Sequence, residues 1–265
     1  MPFVKAIGLV LRTQPWREND KLVFLFTRER GRLLASARGG RRPQSHWGGA
    51  LEPLTELDLL LYQKGDHLLI TQWQILRSHC DLRAEMSLCG PALYLVELVG
   101  ALLHEEDPHP QLYEELKGAL AALASGHSPT LVTNAFILKM LSLIGYWPSL
   151  EKCALCGLVV RGPLFYFSPP AGGVLCPACR HLGGIPLTVP GEVLDQARHL
   201  LQASWERLPP YARGSEELSD LLRLFLAAQL EKGYSAVQTF RAKMRQAERA
   251  IPSSRPSGSD TVEHD

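Results

Sequence analysis

Four cysteines in two matched pairs have the spacing in this sequence that most clearly predicts chemistry. They form two C-x2-C pairs separated by 19 residues, at Cys153, Cys156, Cys176 and Cys179. This spacing is typical of a zinc site, because Zn2+ prefers a tetrahedron of soft thiolates and each pair can form a tight turn around the ion. Four protein ligands leave no open position for water, so we expect a structural Zn2+ rather than a catalytic one.

Two other interpretations of these cysteines stay open, namely two disulfides or a redox-active pair. Stable disulfides are disfavoured in a cytoplasmic chain, and two matched pairs favour a metal over a single redox motif. Strand-like sequence at 164–168 and 173–175 predicts a hairpin that brings the pairs together. The remaining cysteines, Cys80 and Cys89, stand alone at helical positions, where we expect small buried side chains.

A basic N-terminal segment is the second feature with a chemical implication. Residues 1–50 carry ten Lys or Arg and three acidic residues, a net charge of +7, whereas the rest of the chain carries −6. Such a local positive field attracts polyanions even though the whole chain is only +1. A solvated basic surface without a ligand would have the same charge.

The glycine-rich, basic stretch 38–49 predicts a flexible loop that could bind nucleic acid. Its guanidinium groups can make forked hydrogen bonds to phosphate, and Trp47 can stack on an unpaired base, although packing of Trp47 against its own domain is the alternative. If the turns of the domain meet on one side, the cations form one continuous surface. The predicted surface consists of Arg12, Arg17, Lys21, Arg28, Arg30, Arg32, Arg38, Arg41, Arg42 and Trp47.

Five short strands must position this basic surface. Turn residues separate runs of strand character at 4–13, 21–27, 32–38, 54–62 and 67–74, several of which alternate apolar and polar residues. Five strands in so short a segment predict a small closed barrel of the oligonucleotide/oligosaccharide-binding (OB) type, a fold that commonly binds nucleic acid. An SH3-like barrel is the alternative.

Beyond residue 78 the sequence predicts helices around the cysteine module. Leu- and Ala-rich segments near 81–105, 109–125, 128–145, 191–208 and 215–232 have helical periodicity. We therefore expect an α+β protein with an OB domain at 1–78, a helical domain at 79–150 and 187–250, and an inserted zinc module at 151–186. Ser, Pro, Gly and charge at 251–265 predict a disordered tail.

Several motifs in this order resemble the RecO family of bacterial recombinational repair proteins. They are Glu18-Asn19-Asp20-Lys21-Leu22, Thr27 with Gly31, Ala37-Arg38-Gly39, Tyr94-Leu95-Val96-Glu97-Leu98, Leu141 to Pro148, Cys153-Ala154-Leu155-Cys156-Gly157, Phe167-Ser168-Pro169 and Gly172 to Cys176. The resemblance covers residues 6–235. It implies an OB barrel, a helical domain and an inserted zinc module, although some family members lack the cysteines.

The resemblance also implies an activity and a set of partners. It implies binding to single- and double-stranded DNA, annealing of complementary strands, and loading of the recombinase RecA onto DNA coated with single-stranded-DNA-binding protein. The implied partners are RecR, the C-terminal tail of single-stranded-DNA-binding protein, and in some cases RecF and RecA. No membrane partner is expected, and we expect a cytoplasmic, nucleoid-associated protein rather than an enzyme.

Two hypotheses from other classes compete with this one. The first is a metal-dependent nuclease, for which the nearest candidate is the stretch His104-Glu105-Glu106-Asp107. Adjacent residues cannot all face one metal, so we expect this stretch to end a solvated helix. The second is a protein-binding scaffold with a structural zinc, in which the basic surface would meet an acidic protein.

Overall fold

The N-terminal strands close into a barrel. The computed structural model describes residues 3–42, 44–209 and 213–228. Its first five strands are β1 (Phe3–Trp16), β2 (Asp20–Thr27), β3 (Gly31–Ala37), β4 (Glu56–Lys64) and β5 (His67–Arg77). They are ordered β1-β2-β3-β5-β4 with β4 paired back to β1, and β3 and β5 run parallel. This order is that of the OB fold, so the predicted barrel is confirmed.

Alternating side chains of the strands fill the interior of the barrel. On β3 every second residue is buried, as the alternation of its sequence predicts. Fully buried leucine, valine, isoleucine and alanine side chains from all five strands make up this core, which includes Val10, Val23, Leu25, Leu33, Ala35, Leu57, Leu59, Leu61, Leu68 and Ile70. The opposite faces of the strands are left to meet solvent or the helices.

The rest of the described chain is a helical domain interrupted by a small sheet. The helices are α1 (Cys80–Ala84), α2 (Met86–Leu102), α3 (Pro110–Ala124), α4 (Pro129–Leu143), α5 (Gly191–Gln202) and α6 (residues 215–228). The sheet is ordered β7-β6-β8, with β6 (Leu164–Ser168), β7 (Gly173–Leu175) and β8 (Leu187–Pro190). In the described part of the chain, no helix is long and apolar enough to cross a membrane.

The helical predictions need several corrections. The segment near 81–105 is divided into two helices, and the break lies at Glu85 and not at Pro91, which lies inside α2. The segment predicted near 191–208 leaves the α-helix at Gln202, and a short 3-10 turn follows at Trp205–Arg207. Cys80 is exposed and Cys89 half-buried, because both lie near helix starts rather than on a core-facing stripe. The predicted helix end at 232, residues 233–250 and the tail 251–265 lie outside the described residues.

The 3-10 turn packs closely on α3. A side chain at Gly118 would place its Cβ 2.3 Å from a ring atom of Trp205, so only glycine fits beneath the indole. The indole N–H of Trp205 donates to Glu115 over 2.8 Å, and Lys139 on α4 lies 3.4 Å from the same carboxylate oxygen. The turn is thereby fixed against both helices.

Buried polar contacts join the barrel to the helical domain. The Glu56 carboxylate on β4 is 5% exposed, and one of its oxygens accepts a hydrogen bond from the Tyr113 hydroxyl on α3 and contacts Lys117 Nζ, both over 2.9 Å. Burial, and then the Glu56 carboxylate, raise the pKa of Tyr113, so its hydroxyl stays protonated and donates. A buried carboxylate needs such partners because its desolvation is costly.

On β3, Arg32 makes the same kind of junction. Its guanidinium donates to the main-chain oxygens of Gly100 and Leu103 at the end of α2. Burial lowers the pKa of Arg32, an effect that Glu105 partly offsets. Next to it, Gly31 has a φ of +66°, and a Cβ there would lie 2.0 Å from the Asp107 carbonyl oxygen. The β2–β3 turn can therefore meet the segment after α2 only because residue 31 is glycine.

We expect Tyr113→Phe to destabilise the protein by about 1–3 kcal/mol, because it removes one hydrogen bond to a buried carboxylate. Urea denaturation followed by circular dichroism measures this change. Tyr146→Phe is the matched control, since Tyr146 is 44% exposed, and it should change the free energy of unfolding by less than about 0.5 kcal/mol. Equal effects of the two substitutions would show that the Glu56 contact contributes nothing.

Candidate nucleic-acid interface and candidate metal centre

Two loops at one end of the barrel are tied into a single surface. The Arg41 guanidinium donates to the carbonyl oxygens of Arg17 and Glu18, each over 3.1 Å. The backbone N–H of Gly39 donates to the Asp20 carboxylate over 2.9 Å. These bonds join the β1–β2 turn to the start of the loop after β3. We call this surface the basic rim, defined as residues 16–21 and 38–42.

The basic rim carries several cations that point to solvent. Arg17, Arg38 and Arg42 are exposed, and Lys21 is half-buried at the start of β2. Arg41 is exposed as well, but its bonds to the neighbouring turn make it a positioning residue. Clustered guanidinium groups of this kind suit phosphate, which they can bind through paired hydrogen bonds.

Arg12 lies beside the rim on the outer surface of β1. Its guanidinium carbon stands 3.5 Å from the centre of the Phe24 ring, and one of its nitrogens donates to the Gln14 side chain over 3.3 Å. The side chain is exposed. It extends the positive surface of the rim along the strand.

Three predicted residues lie elsewhere, at the opposite end of β2 and β3. Arg28 pairs with Glu114 over 3.3 Å and Arg30 with Glu106 over 3.6 Å, while Arg32 binds the end of α2 as described above. The predicted single continuous surface is therefore divided. These three arginines face the helical domain, because each finds an acidic or carbonyl partner there.

The stretch His104 to Asp107, named above as a nuclease candidate, forms part of the contact between the barrel and the helical domain. Helix α2 ends at Leu102, so His104 to Asp107 follow the helix instead of ending it. The backbone N–H of Glu106 donates to the Arg32 carbonyl oxygen over 3.0 Å, and Asp107 lies 3.1 Å from His109. Glu106 thus contacts the barrel, and Asp107 contacts His109 in the same segment.

Trp47 is buried, which contradicts its predicted role as an exposed stacking residue. It is 4% exposed and belongs to the barrel core. Its ring stacks on Trp73 with centroids 3.8 Å apart, and its indole N–H donates to the Arg38 carbonyl oxygen over 2.9 Å. The alternative given above, packing against its own domain, is the one that the structure shows. Trp47 thus fixes the backbone of Arg38.

The four predicted cysteine ligands come together. Their sulfurs all lie within 4.8 Å of one another, and those of Cys156 and Cys176 are 3.7 Å apart. A tetrahedral zinc with Zn–S bonds of about 2.3 Å requires S–S distances of about 3.8 Å. Cys153, Cys176 and Cys179 are buried and Cys156 is exposed. All six cysteines of the chain are free, so the disulfide interpretation is not what the structure shows.

Local backbone geometry builds the two halves of this cluster. In the first pair, Gly157 has a φ of +75° and its N–H donates to the Cys153 carbonyl oxygen over 2.8 Å. The predicted hairpin of β6 and β7 is confirmed, and Cys176 directly follows β7. The N–H of Ala154 donates to Val174 on β7 over 2.8 Å, which holds the first pair beside the second.

Two thiols of the cluster have pKa values shifted in opposite directions by their surroundings. Burial opposes ionisation of Cys153, but backbone N–H groups of Cys176, Cys156 and Leu155 outweigh it and lower the pKa of Cys153 to about 6. The neighbouring thiols, first Cys176, raise the pKa of Cys179 to about 12. A metal bound by all four sulfurs would take the place of the thiol protons, because thiolates are the form that binds metals. The four residues can hold one metal ion.

Comparison with known proteins decides the family. A family model described as "Recombination protein O N terminal" matches residues 1–79, and one described as "Recombination protein O C terminal" matches residues 84–236. The chain belongs to the RecO family. The boundary between the two RecO models coincides with the short helix α1, where the barrel ends and the helical domain begins.

Relatives named "DNA repair protein RecO" match over nearly their whole length. The protein of Streptomyces griseus is 35% identical over 254 residues, which are 90% of this chain and 98% of the relative. That of a Nocardioides species is 36% identical over 87% of this chain and 96% of its own. The protein of Pelotomaculum thermopropionicum is 34% identical over 91% of this chain and 95% of its own length.

One aromatic residue of the rim in this RecO-family chain was not among the residues predicted from the sequence to bind nucleic acid. Trp16 ends β1, is half-buried, and has the Arg17 guanidinium carbon 4.3 Å from its ring centre. The predicted β1 ended at residue 13, which left Trp16 in an undefined turn. Its position directly before Arg17 was the available signal.

Proposed function

We propose that this chain is a recombinational DNA repair mediator that binds single- and double-stranded DNA and anneals complementary strands. The observation that carries the proposal is the basic rim, in which Arg41 and Asp20 hold two loops together and leave Arg17, Arg38 and Arg42 exposed. Membership of a family whose named relatives are DNA repair proteins supports the same assignment.

Annealing requires two polyanions to approach each other with their bases accessible, and it makes or breaks no covalent bond. Cations that neutralise phosphates release condensed counterions, which supplies affinity without much sequence preference. We propose Arg12, Arg17, Lys21, Arg38 and Arg42 as the phosphate contacts. Arg28, Arg30 and Arg32 instead act through the helical domain, whose position on the barrel they fix.

We propose that the four-cysteine cluster holds one structural Zn2+. When bound, the ion supplies a cross-link between the two C-x2-C pairs. The S–S distance of 3.7 Å and the thiolate-only donor set support zinc. The chain's own residues shape the site through the Gly157 turn and the β6–β7 hairpin.

We further propose the partners and the cellular setting. RecR is the main protein partner, the tail of single-stranded-DNA-binding protein docks on the helical domain, and RecF assists in loading the recombinase RecA. An apolar and acidic tail suits a groove between amphipathic helices. The proposed location is the cytoplasm, in association with the nucleoid, and no catalytic role is proposed.

The double variant Arg38→Ala/Arg42→Ala tests the DNA interface. It should weaken binding to single strands and reduce the slope of log affinity against log salt by about 1.4, since each lost phosphate contact removes about 0.7 from the slope. Fluorescence anisotropy with labelled strands over a range of salt concentrations measures both quantities.

Arg28→Ala/Arg30→Ala is the matched control for this experiment, because it removes two arginines that face the helical domain. Its salt slope should equal that of the wild type. A slope unchanged in the rim variant, or changed equally in both, would contradict the proposed interface. Failure of the wild type to bind DNA at low salt would favour the protein-binding scaffold, and metal-dependent cleavage of the strands would favour a nuclease.

Metal analysis of the purified protein tests the cysteine site. We expect one zinc per chain in the wild type and in Cys89→Ala, and almost none in Cys176→Ala, which also loses thermal stability. After chelation and denaturation without reductant, all six cysteines should titrate as free thiols. Two free thiols would show two disulfides instead, and full zinc occupancy in Cys176→Ala would contradict the assigned ligands.

An annealing assay tests the proposed activity and one partner together. Complementary strands are coated with single-stranded-DNA-binding protein, either complete or lacking its C-terminal tail, and duplex formation is followed by fluorescence. We expect this chain to anneal strands coated with the complete protein, and to lose that activity when the tail is removed. Annealing that is indifferent to the tail would retain the activity but reject this partner contact.

A further inference from the structure

We propose that Trp16 is the residue of the basic rim on which an unpaired base stacks, and that it gives the rim a preference for single strands. This inference rests on the proposed DNA-binding function and deepens it by naming the form of DNA that the rim selects. Of the five tryptophans of the chain, only some are available to a ligand.

The tryptophans differ in what surrounds the indole. Trp47 is buried in the barrel core and stacked on Trp73. Trp205 donates its N–H to Glu115 and covers Gly118. Trp147 lines a cleft of the helical domain with Leu150 and Arg198. Within the described residues, Trp16 forms no aromatic ring pair, its N–H has no hydrogen-bond partner, and it is half-buried and outside the barrel core.

The neighbours of Trp16 suit a nucleotide. The Arg17 guanidinium lies over one face of the indole, so the base of our proposal stacks on the opposite face, beside a cation that can neutralise its phosphate. Arg41 holds the backbone of Arg17 through its carbonyl oxygen, and Arg17 itself has a φ of +52°. The rim therefore fixes the position of the Trp16–Arg17 pair relative to Arg38 and Arg42.

The strand geometry places a further cation in line with the ring. Arg12, Gln14 and Trp16 are alternate residues of β1 opposite Phe24, Leu22 and Asp20 of β2. Alternate residues of a strand share one face, so Arg12 and Trp16 lie on the same surface about 13 Å apart. A strand of DNA that follows this surface meets a cation, then an aromatic ring, then the arginines of the rim.

This arrangement discriminates between single strands and duplexes. Bases in a duplex are stacked on one another and present only their edges, so they cannot stack on Trp16 without unpairing. A single strand offers base faces directly, and stacking on an aromatic side chain accepts any base because every base has a π-face. The phosphate contacts of the rim, in contrast, serve both forms of DNA.

The test compares three ligands of equal length: an oligothymidylate, an abasic deoxyribose-phosphate oligomer and a duplex. Affinities are measured by anisotropy for the wild type, Trp16→Ala and Trp16→Phe. We expect Trp16→Ala to weaken oligothymidylate binding by roughly 5- to 100-fold, the usual range for one stacked base. Binding of the abasic oligomer and the duplex, and the salt slope, should stay the same, and Trp16→Phe should recover most of the loss.

Other outcomes overturn the inference in distinguishable ways. If Trp16→Ala weakens the abasic oligomer equally, Trp16 only positions Arg17. If it leaves oligothymidylate binding unchanged, the ring does not stack on a base, although the proposed DNA-binding function stands. If the wild type binds none of the three ligands, the inference and the proposed function fail together. Tyr146→Ala, which removes an exposed aromatic of the helical domain, controls for nonspecific loss.

Discussion

The desolvated polar contacts between the barrel and the helical domain are the constraint on which the rest of this structure depends. Glu56 and Arg32 sit on separate strands with opposite charges, and each is largely removed from water. A charge in such a place is strongly destabilising unless it is hydrogen-bonded, so Tyr113, Lys117 and the carbonyl oxygens at the end of α2 must be present. The helical domain thus supplies the partners that the buried charges of the barrel need.

The contact with the helical domain also divides the cations of the N-terminal segment into two groups. The β2–β3 turn faces the helices, where Arg28 and Arg30 pair with Glu114 and Glu106, and Arg32 at the start of β3 donates to main-chain oxygens. The other ends of the same strands carry the basic rim, where the positive charge meets solvent. A charge count over residues 1–50 therefore overstates the surface available to a polyanion, because part of it holds two domains together.

The barrel and the metal site were predictable from sequence because their determinants are local. Alternation along each strand and the spacing of two C-x2-C pairs depend on neighbours in the chain. The burial of Trp47 and the hydrogen-bond partners of Arg32 could not be predicted from neighbours in the chain. Trp47 meets Trp73 across 26 positions of sequence, and Arg32 meets Leu103 across 71. Such distant contacts, and not the composition of the loop, decide that Trp47 is buried while Trp16 is only half-buried.

The small sheet beside the cysteines has edges, unlike the closed barrel, and its sequence limits what those edges can do. Strand β7 has only three residues, and its outer side is occupied by Ser149, which exchanges backbone hydrogen bonds with Gly172 and Val174. Strand β8 ends at Pro190, which has no N–H to offer. Because Ala154 also binds β7, the chain around the cysteine cluster covers the edge where another copy could add a strand. The segment that carries the first C-x2-C pair therefore covers the edge of β7 as well as holding the cysteines together.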